Sequence, residues 1–157
     1  MNLYSEEQTF EERLEELDSH IRSRNPVVRY TVVIQDCCIE TWFLGNRRFV
    51  KKKPERSEFR DFRDFYDVRE MDPEKMGTME PYRSRAQFHF EYMREVCRER
   101  GLSYSKKKPG PAVDASYLSE LVRRHRETAH LQSFGQLVAV WESMGAQFRS
   151  DHIESQG

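Results

Sequence analysis

Apolar positions near the start of the chain recur every three or four residues. Phe10, Leu14, Leu17 and Ile21 fall on one stripe, and Ser5 with Gln8 fits a capping box, so the spacing predicts a helix over 5–24. Asn25-Pro26 ends it, because the residue before a proline is pushed out of helical geometry. The pattern then changes. Arg29-Tyr30-Thr31-Val32-Val33-Ile34-Gln35 is short, β-branched and carries three consecutive apolar residues, which predicts a strand covered on both faces, as in a parallel sheet. Asp36 is placed to cap a short helix over 38–44, closed by Gly45-Asn46.

Beyond a basic loop, Phe59, Phe62, Phe65 and Tyr66 return to helical spacing, although Phe65-Tyr66-Asp67-Val68 also reads as a short strand. Asp72-Pro73-Glu74 marks a helix start with proline in the first turn. Ser84 and Gln87 form a second capping box. It opens a helix whose stripe is Phe88, Tyr92 and Val96, with Met93 and Cys97 on its flank and Gly101 as its stop. Residues 104–111 form a Lys/Pro/Gly loop. Asp114 starts a helix through Tyr117, Leu118, Leu121 and Val122 that ends near Arg126. Ser133 caps a last one, with Phe134, Leu137, Val138, Trp141 and Met144 as its stripe and Gly145 as its stop. The tail from 147 to 157 reads as flexible. The expected fold class is therefore helix-rich α/β: a small, partial parallel sheet with helices packed on both faces, in a single domain over 1–146. One sure strand is too little sheet for a self-contained doubly wound domain, so further strands lie in 46–70 and 102–105 or a partner supplies them.

Composition narrows the class. With 157 residues, 37% hydrophobic and 34% charged, and with 10 Phe, 7 Tyr and 2 Trp, the chain has the length and aromatic area for one folded core. No apolar run approaches the roughly 20 residues of a membrane span. The start of the chain has no basic segment followed by an apolar one, and the three cysteines, with Cys37 and Cys38 adjacent, read as reduced thiols packed as small apolar groups. The expected location is the cytoplasm. No Cys or His spacing matches a metal motif.

Net charge is -1, so the whole-molecule field favours no particular partner, but the basic residues are bunched. Arg47, Arg48, Lys51, Lys52, Lys53, Lys106, Lys107, Lys108, Arg123 and Arg126 are either solvated faces or parts of a strip that contacts nucleic-acid phosphates, with Tyr104 stacking on a base. Arg123, Arg124 and Arg126 are too close together to share one helix face.

Val32-Val33-Ile34-Gln35-Asp36-Cys37-Cys38-Ile39-Glu40-Thr41-Trp42-Phe43-Leu44 resembles the strand-to-helix turn of RloB-type, TOPRIM-like proteins, in which an apolar strand runs into an acidic residue followed by x-Trp and leucine-like residues. Tyr104-Ser105-Lys106 is similar to the family's Tyr-x-Lys. The likeness covers 30–130 loosely. It implies Mg²⁺-dependent phosphodiester chemistry, with Mg²⁺ held by a glutamate on one strand and an Asp-x-Asp on another. Those strands precede the segment that starts this chain, so only Glu40, with Asp36 beside it, maps onto an acidic position. The resemblance thus implies the C-terminal half of such a fold, acting around nucleic acid, with phage–host defence as one setting. It lacks a complete site of its own unless Glu40 and Asp36, with carboxylates from 61–74, are catalytic in a Mg²⁺-dependent nuclease. Set against this, Glu40 is equally a first-turn residue favoured by the helix dipole, and Asp36 a helix cap. The alternative reading is a small inhibitor or adaptor module that binds a partner protein through an aromatic surface at Phe59, Phe62, Phe65 and Tyr66, and a partner protein or self-association is expected in either case.

Overall fold

The computed structural model describes residues 10–35 and 37–145, and side chains from residue 11 onward. Ser5, Gln8, Asp36 and the tail from 147 lie outside the described residues, as does the side chain of Phe10. The chain divides after Val32 into two units.

The first unit is helix α1, Phe10–Arg24, and the segment that follows it. Arg22 Nε donates to Asp18 across one helical turn at 2.7 Å, and the Tyr30 hydroxyl returns to the same carboxylate and to the Asp18 carbonyl (3.3 Å). Those two donors hold the Asp18 carboxyl below its ordinary range.

The second unit is all-helical. Among the described residues it contains α2 (Ile39–Phe43), α3 (Ser57–Phe65), α4 (Arg85–Arg98), α5 (Ala115–Thr128) and α6 (Gln132–Ser143), with 3₁₀ turns at Pro73–Lys75 and Gly110–Val113. The expected α/β class is corrected by this: no strand and no sheet is present among the described residues, and the one β feature is an isolated bridge between Ser105 and Lys108. Residues 29–35 are strand-like in composition but join no ladder. β-propensity measures fit to a neighbouring strand rather than an intrinsic backbone preference, and among the described residues no neighbouring strand takes the amide and carbonyl groups. The alternative strand at 65–68 is likewise absent, since α3 runs to Phe65 and a turn follows.

Helix α4 is the spine of the core. Its stripe buries Phe88, Tyr92, Met93, Val96 and Cys97 completely or nearly so, against Phe59 and Phe62 of α3 and Trp42 of α2. Phe62 stacks on Phe88 with ring centroids 5.3 Å apart and planes 8° from parallel, and Phe59 meets Tyr92 edge to face. The α3 aromatics are therefore mostly core, with Phe65 alone left largely open. The Trp42 indole donates to Ser133 Oγ at 2.9 Å and the Tyr117 hydroxyl to the Phe43 carbonyl at 2.7 Å, joining α2 to α6 and α5.

Helix ends are capped partly as the sequence implies. Ser84 accepts from the Gln87 amide (3.2 Å), and Asp72 accepts from the Glu74 amide (3.1 Å). Two other ends are capped from a distance. The Glu99 carboxylate accepts from the amides of Glu55 (2.7 Å) and Arg56 (3.1 Å) at the start of α3. Glu74 accepts from the Ser133 and Phe134 amides at the start of α6, where Leu131 rather than Ser133 is the capping residue. Burial pushes the Glu99 carboxyl up, but the two amides and Lys51 outweigh it and hold the group below its ordinary value.

Arg124 stands in the middle of a basic run, yet its side chain is wholly buried. Its guanidinium donates to the carbonyls of Gly45 (3.0 Å), Val68 (2.7 Å) and Met71 (2.7 Å) and to His130 Nδ1 (3.0 Å). One side chain thus ties the loops after α2 and α3 to the α5–α6 turn. Gly45 is needed at this junction, because a Cβ there would stand 2.8 Å from the Trp42 carbonyl and 2.5 Å from the Leu131 side chain.

Candidate functional site

The basic residues form separate surfaces. Arg47 and Arg48 follow α2, Arg123 projects from α5, and all three meet around Glu120. Arg123 Nη2 lies 2.6 Å, Arg48 Nε 3.3 Å and Arg47 Nε 3.9 Å from its carboxylate. Glu127 takes Arg47 at 2.5 Å and Arg123 at 3.1 Å. Arg123 reaches both glutamates because they sit three residues before and four after it on one helix. Arg47, Arg48, Arg123 and Glu127, together with Arg69 and Glu70, line an open hollow of about 340 Å³. Arg69 is tied down by the carbonyls of Arg47 (2.6 Å) and Val50 (2.5 Å). The cluster is thus largely neutralised from within.

The other basic residues lie elsewhere. Arg126 pairs with Glu142 at 2.5 Å, and Lys51 with Glu55 at 2.9 Å and Glu99 at 3.6 Å. Lys52 and Lys53 are exposed and enter no ion pair among the described residues, and the same holds for Lys106, Lys107 and Lys108. Lys106 and Lys107 line a different hollow, beside Ala86, Gln87 and Phe90 of α4. Tyr104 faces inward. Its hydroxyl donates to Glu40 Oε1 at 3.0 Å and its ring packs against Phe43 and Phe90. Burial, and the neighbouring Glu40, push its pKa well up. Glu40 is fully enclosed, with Oε2 lacking a hydrogen-bond partner. Mg²⁺ takes several oxygen donors in near-octahedral order and keeps much of its water. A single enclosed carboxylate does not fit that requirement, and no carboxylate belongs to any metal-capable cluster among the described residues.

A second cluster is one that sequence reasoning passes over. Cys37 Sγ, Cys38 Sγ and His89 Nδ1 all lie within 4.8 Å of one another. The two sulfurs are 3.9 Å apart, and Cys37 Sγ is 3.6 Å from His89 Nδ1. His89 is wholly buried. Its Nε2 faces the Met76 carbonyl at 3.1 Å, and a carbonyl only accepts, so Nε2 carries the proton. Nδ1 is then a lone pair, which takes the Thr41 hydroxyl at 2.7 Å. Burial pushes the Cys38 thiol up to about 12, with Cys37 and Glu40 adding to the rise. A cavity of about 10 Å³, room for one water, adjoins Cys37 and Thr41 and is also lined by Glu74, Arg85 and Ser133.

Cys37 and His89 are 52 residues apart and belong to no spacing motif, which is why the cysteines read as packing groups. One signal was available: His89, Met93 and Cys97 recur every fourth residue along the flank of the buried α4 stripe.

The neutral imidazole has a consequence for stability. Burial lowers the His89 pKa below its ordinary 6.5, and burial with Arg124 does the same for His130. In both, the folded chain binds a proton less readily than the unfolded one. Their contribution is complete above pH 6.5 and is lost as pH falls below it. Urea unfolding at pH 7.5 and 5 is expected to show lower stability at pH 5, with a loss of up to about 1.4 kcal/mol per pH unit per histidine. His89→Gln is expected to flatten that dependence, and an unchanged slope in the variant would exclude His89 as its source.

No membrane-spanning candidate occurs among the described helices. No protein-family model, no curated protein and no solved structure matches the chain.

Proposed function

We propose that this chain is a non-catalytic helical module that associates with protein, and that its N-terminal unit makes the contact with a second copy of the chain. The observation that carries this is that none of residues 11–32 is buried, although α1 keeps Leu14, Leu17 and Ile21 on one stripe and Leu17 is 44% exposed. A fifteen-residue helix is marginal in water without packing on that stripe. The charge order of α1 supports a second copy as the partner. Glu11, Glu12, Glu15 and Glu16 outnumber Arg13 in its first half, and Arg22 and Arg24 outnumber Asp18 toward its end, so two antiparallel copies lay net acid against net base. The enclosed Glu40 supports the non-catalytic part.

Sedimentation of the purified chain tests this. A dimer that persists when salt is raised is expected, since apolar contacts resist screening, and Leu14→Asp/Leu17→Asp is expected to be monomeric. A wild-type chain that stays monomeric at about 200 µM would sink the reading, since a contact that weak leaves the stripe uncovered.

Contact with a nucleic-acid backbone is a second reading, favoured by the unpaired Lys52, Lys53, Lys106, Lys107 and Lys108. The TOPRIM-like resemblance and a role in phage–host defence belong to it. Anisotropy with single- and double-stranded DNA and RNA, with and without Mg²⁺, is its measurement. Affinity that falls with salt and with Lys106/Lys107/Lys108→Ala supports it, and no binding at low salt ends it. Mg²⁺-dependent cleavage by the pure chain would overturn the non-catalytic assignment.

A further inference from the structure

We propose that Cys37, Cys38 and His89 form a binding site for one thiophilic divalent cation, zinc being the best fit, with a water from the adjoining cavity as the fourth ligand. Tetrahedral zinc, with Zn–S near 2.3 Å and Zn–N near 2.05 Å, places two sulfurs about 3.8 Å apart and a sulfur about 3.6 Å from a nitrogen. The Cys37–Cys38 Sγ separation of 3.9 Å and the Cys37 Sγ–His89 Nδ1 separation of 3.6 Å match two of the three edges, and the third, from Cys38 Sγ to Nδ1, lies within 4.8 Å. The donors are therefore already close to a metal-ready spacing.

The surroundings supply what such a site needs beyond its ligands. Metal-bound imidazoles use their other ring nitrogen to hold the ring in place, and His89 Nε2 does so on the Met76 carbonyl. Arg85 Nε donates to that same carbonyl at 3.1 Å and so fixes it in turn. Thr41 Oγ1 is 2.7 Å from Nδ1 and 3.6 Å from Cys38 Sγ. For the ion to reach Nδ1 the Thr41 side chain must swing away from that nitrogen, and its hydroxyl can then donate to the Cys38 thiolate instead. Cys37 is partly exposed, which leaves a path for the ion, and the small cavity beside it has room for one water but not for a substrate.

Charge decides which ion. Two thiolates and a neutral imidazole around a divalent cation sum to zero, so the bound complex itself adds no net charge to the interior. Binding sends the two thiol protons to solvent, and both sulfurs bond the metal as thiolates. Thiolates select soft or borderline ions over Mg²⁺ or Ca²⁺. The set of three protein ligands with one open position differs from a closed structural site of four.

Cobalt(II) titration of the reduced full-length chain tests the site. The expected result is one equivalent bound, with a thiolate-to-cobalt charge-transfer band and the visible bands of a tetrahedral ion, both abolished by added zinc. Cys37→Ser, at a partly exposed position, is expected to lose at least tenfold in affinity while keeping the wild-type circular dichroism. His89→Gln is expected to lose the band, and Cys97→Ser, away from the cluster, to keep it. A zinc-dependent rise in Tm that Cys37→Ser removes is a second readout. No charge-transfer band at one equivalent, or a band that survives both Cys37→Ser and His89→Gln, overturns the proposal.

Discussion

Arg124→Ala is expected to destabilise the chain by about 3–5 kcal/mol, a large part of the stability of an ordinary domain. The side chain is completely buried and satisfies three main-chain carbonyls from two loops together with His130. Truncation leaves those acceptors without donors in a place water does not reach, and it removes a fully buried side chain as well. Burial, with Arg47 nearby, lowers the Arg124 pKa to about 10, so the group is still charged at neutral pH. Lysine keeps the charge but cannot present a planar fork to several carbonyls at once, so Arg124→Lys is expected to fall between wild type and alanine. Urea denaturation read by tryptophan fluorescence measures all three. A loss below about 1 kcal/mol for the alanine variant would mean that the clamp is not a stabilising element.

Phe88→Ala is expected to cost about 3–5 kcal/mol by removing the centre of the aromatic cluster. Phe88 is fully buried. It stacks on Phe62 and meets Phe65 edge to face at 5.2 Å, and its ring also contacts Tyr82, Tyr92 and His89. A vacancy there removes partners from several rings at once, and α3, attached to α4 mainly through Phe59 and Phe62, has little else to pack against. Phe65→Ala, at a position 43% exposed, serves as the control and is expected to cost less than about 1.5 kcal/mol. Thermal melts of the two variants make the comparison. Equal losses would mean that the stack does not carry the core.

The neutralised arginine cluster bears on the nucleic-acid reading as well. Residues 47, 48 and 123 look like phosphate contacts when counted as charges, but Glu120 and Glu127 already occupy their guanidinium groups. A phosphate would have to displace those carboxylates, whereas it meets no such competitor at Lys52, Lys53 or Lys106 to Lys108. Triple-lysine variants therefore discriminate the readings better than arginine variants do.

The helices could be read from the chain because their signals are local. The stripe of Phe88, Tyr92 and Val96, the capping pair Ser84 and Gln87, and the proline turn at Asp72-Pro73-Glu74 each depend on residues within a few positions of one another. A backbone hydrogen bond four residues long can be inferred from a pattern of the same length. The sequence by itself therefore determined where the chain is helical and which helix faces are apolar.

Tertiary structure decided the rest. The segment 29–35 has strand composition, but a strand exists only with a neighbour, and no property of those seven residues says whether one is present. Arg124 lies in the basic run with Arg123 and Arg126, and only the packing of α5 turns it inward while its neighbours reach solvent. Tyr104 and Glu40 are 64 residues apart, and Cys37 and His89 are 52 apart. Each pairing arises because α2 packs on α4 and the loop after α4 folds over both. Hydropathy reports whether a side chain prefers water, but not which distant group it meets once it leaves water, and in this chain the buried polar contacts are set by those meetings.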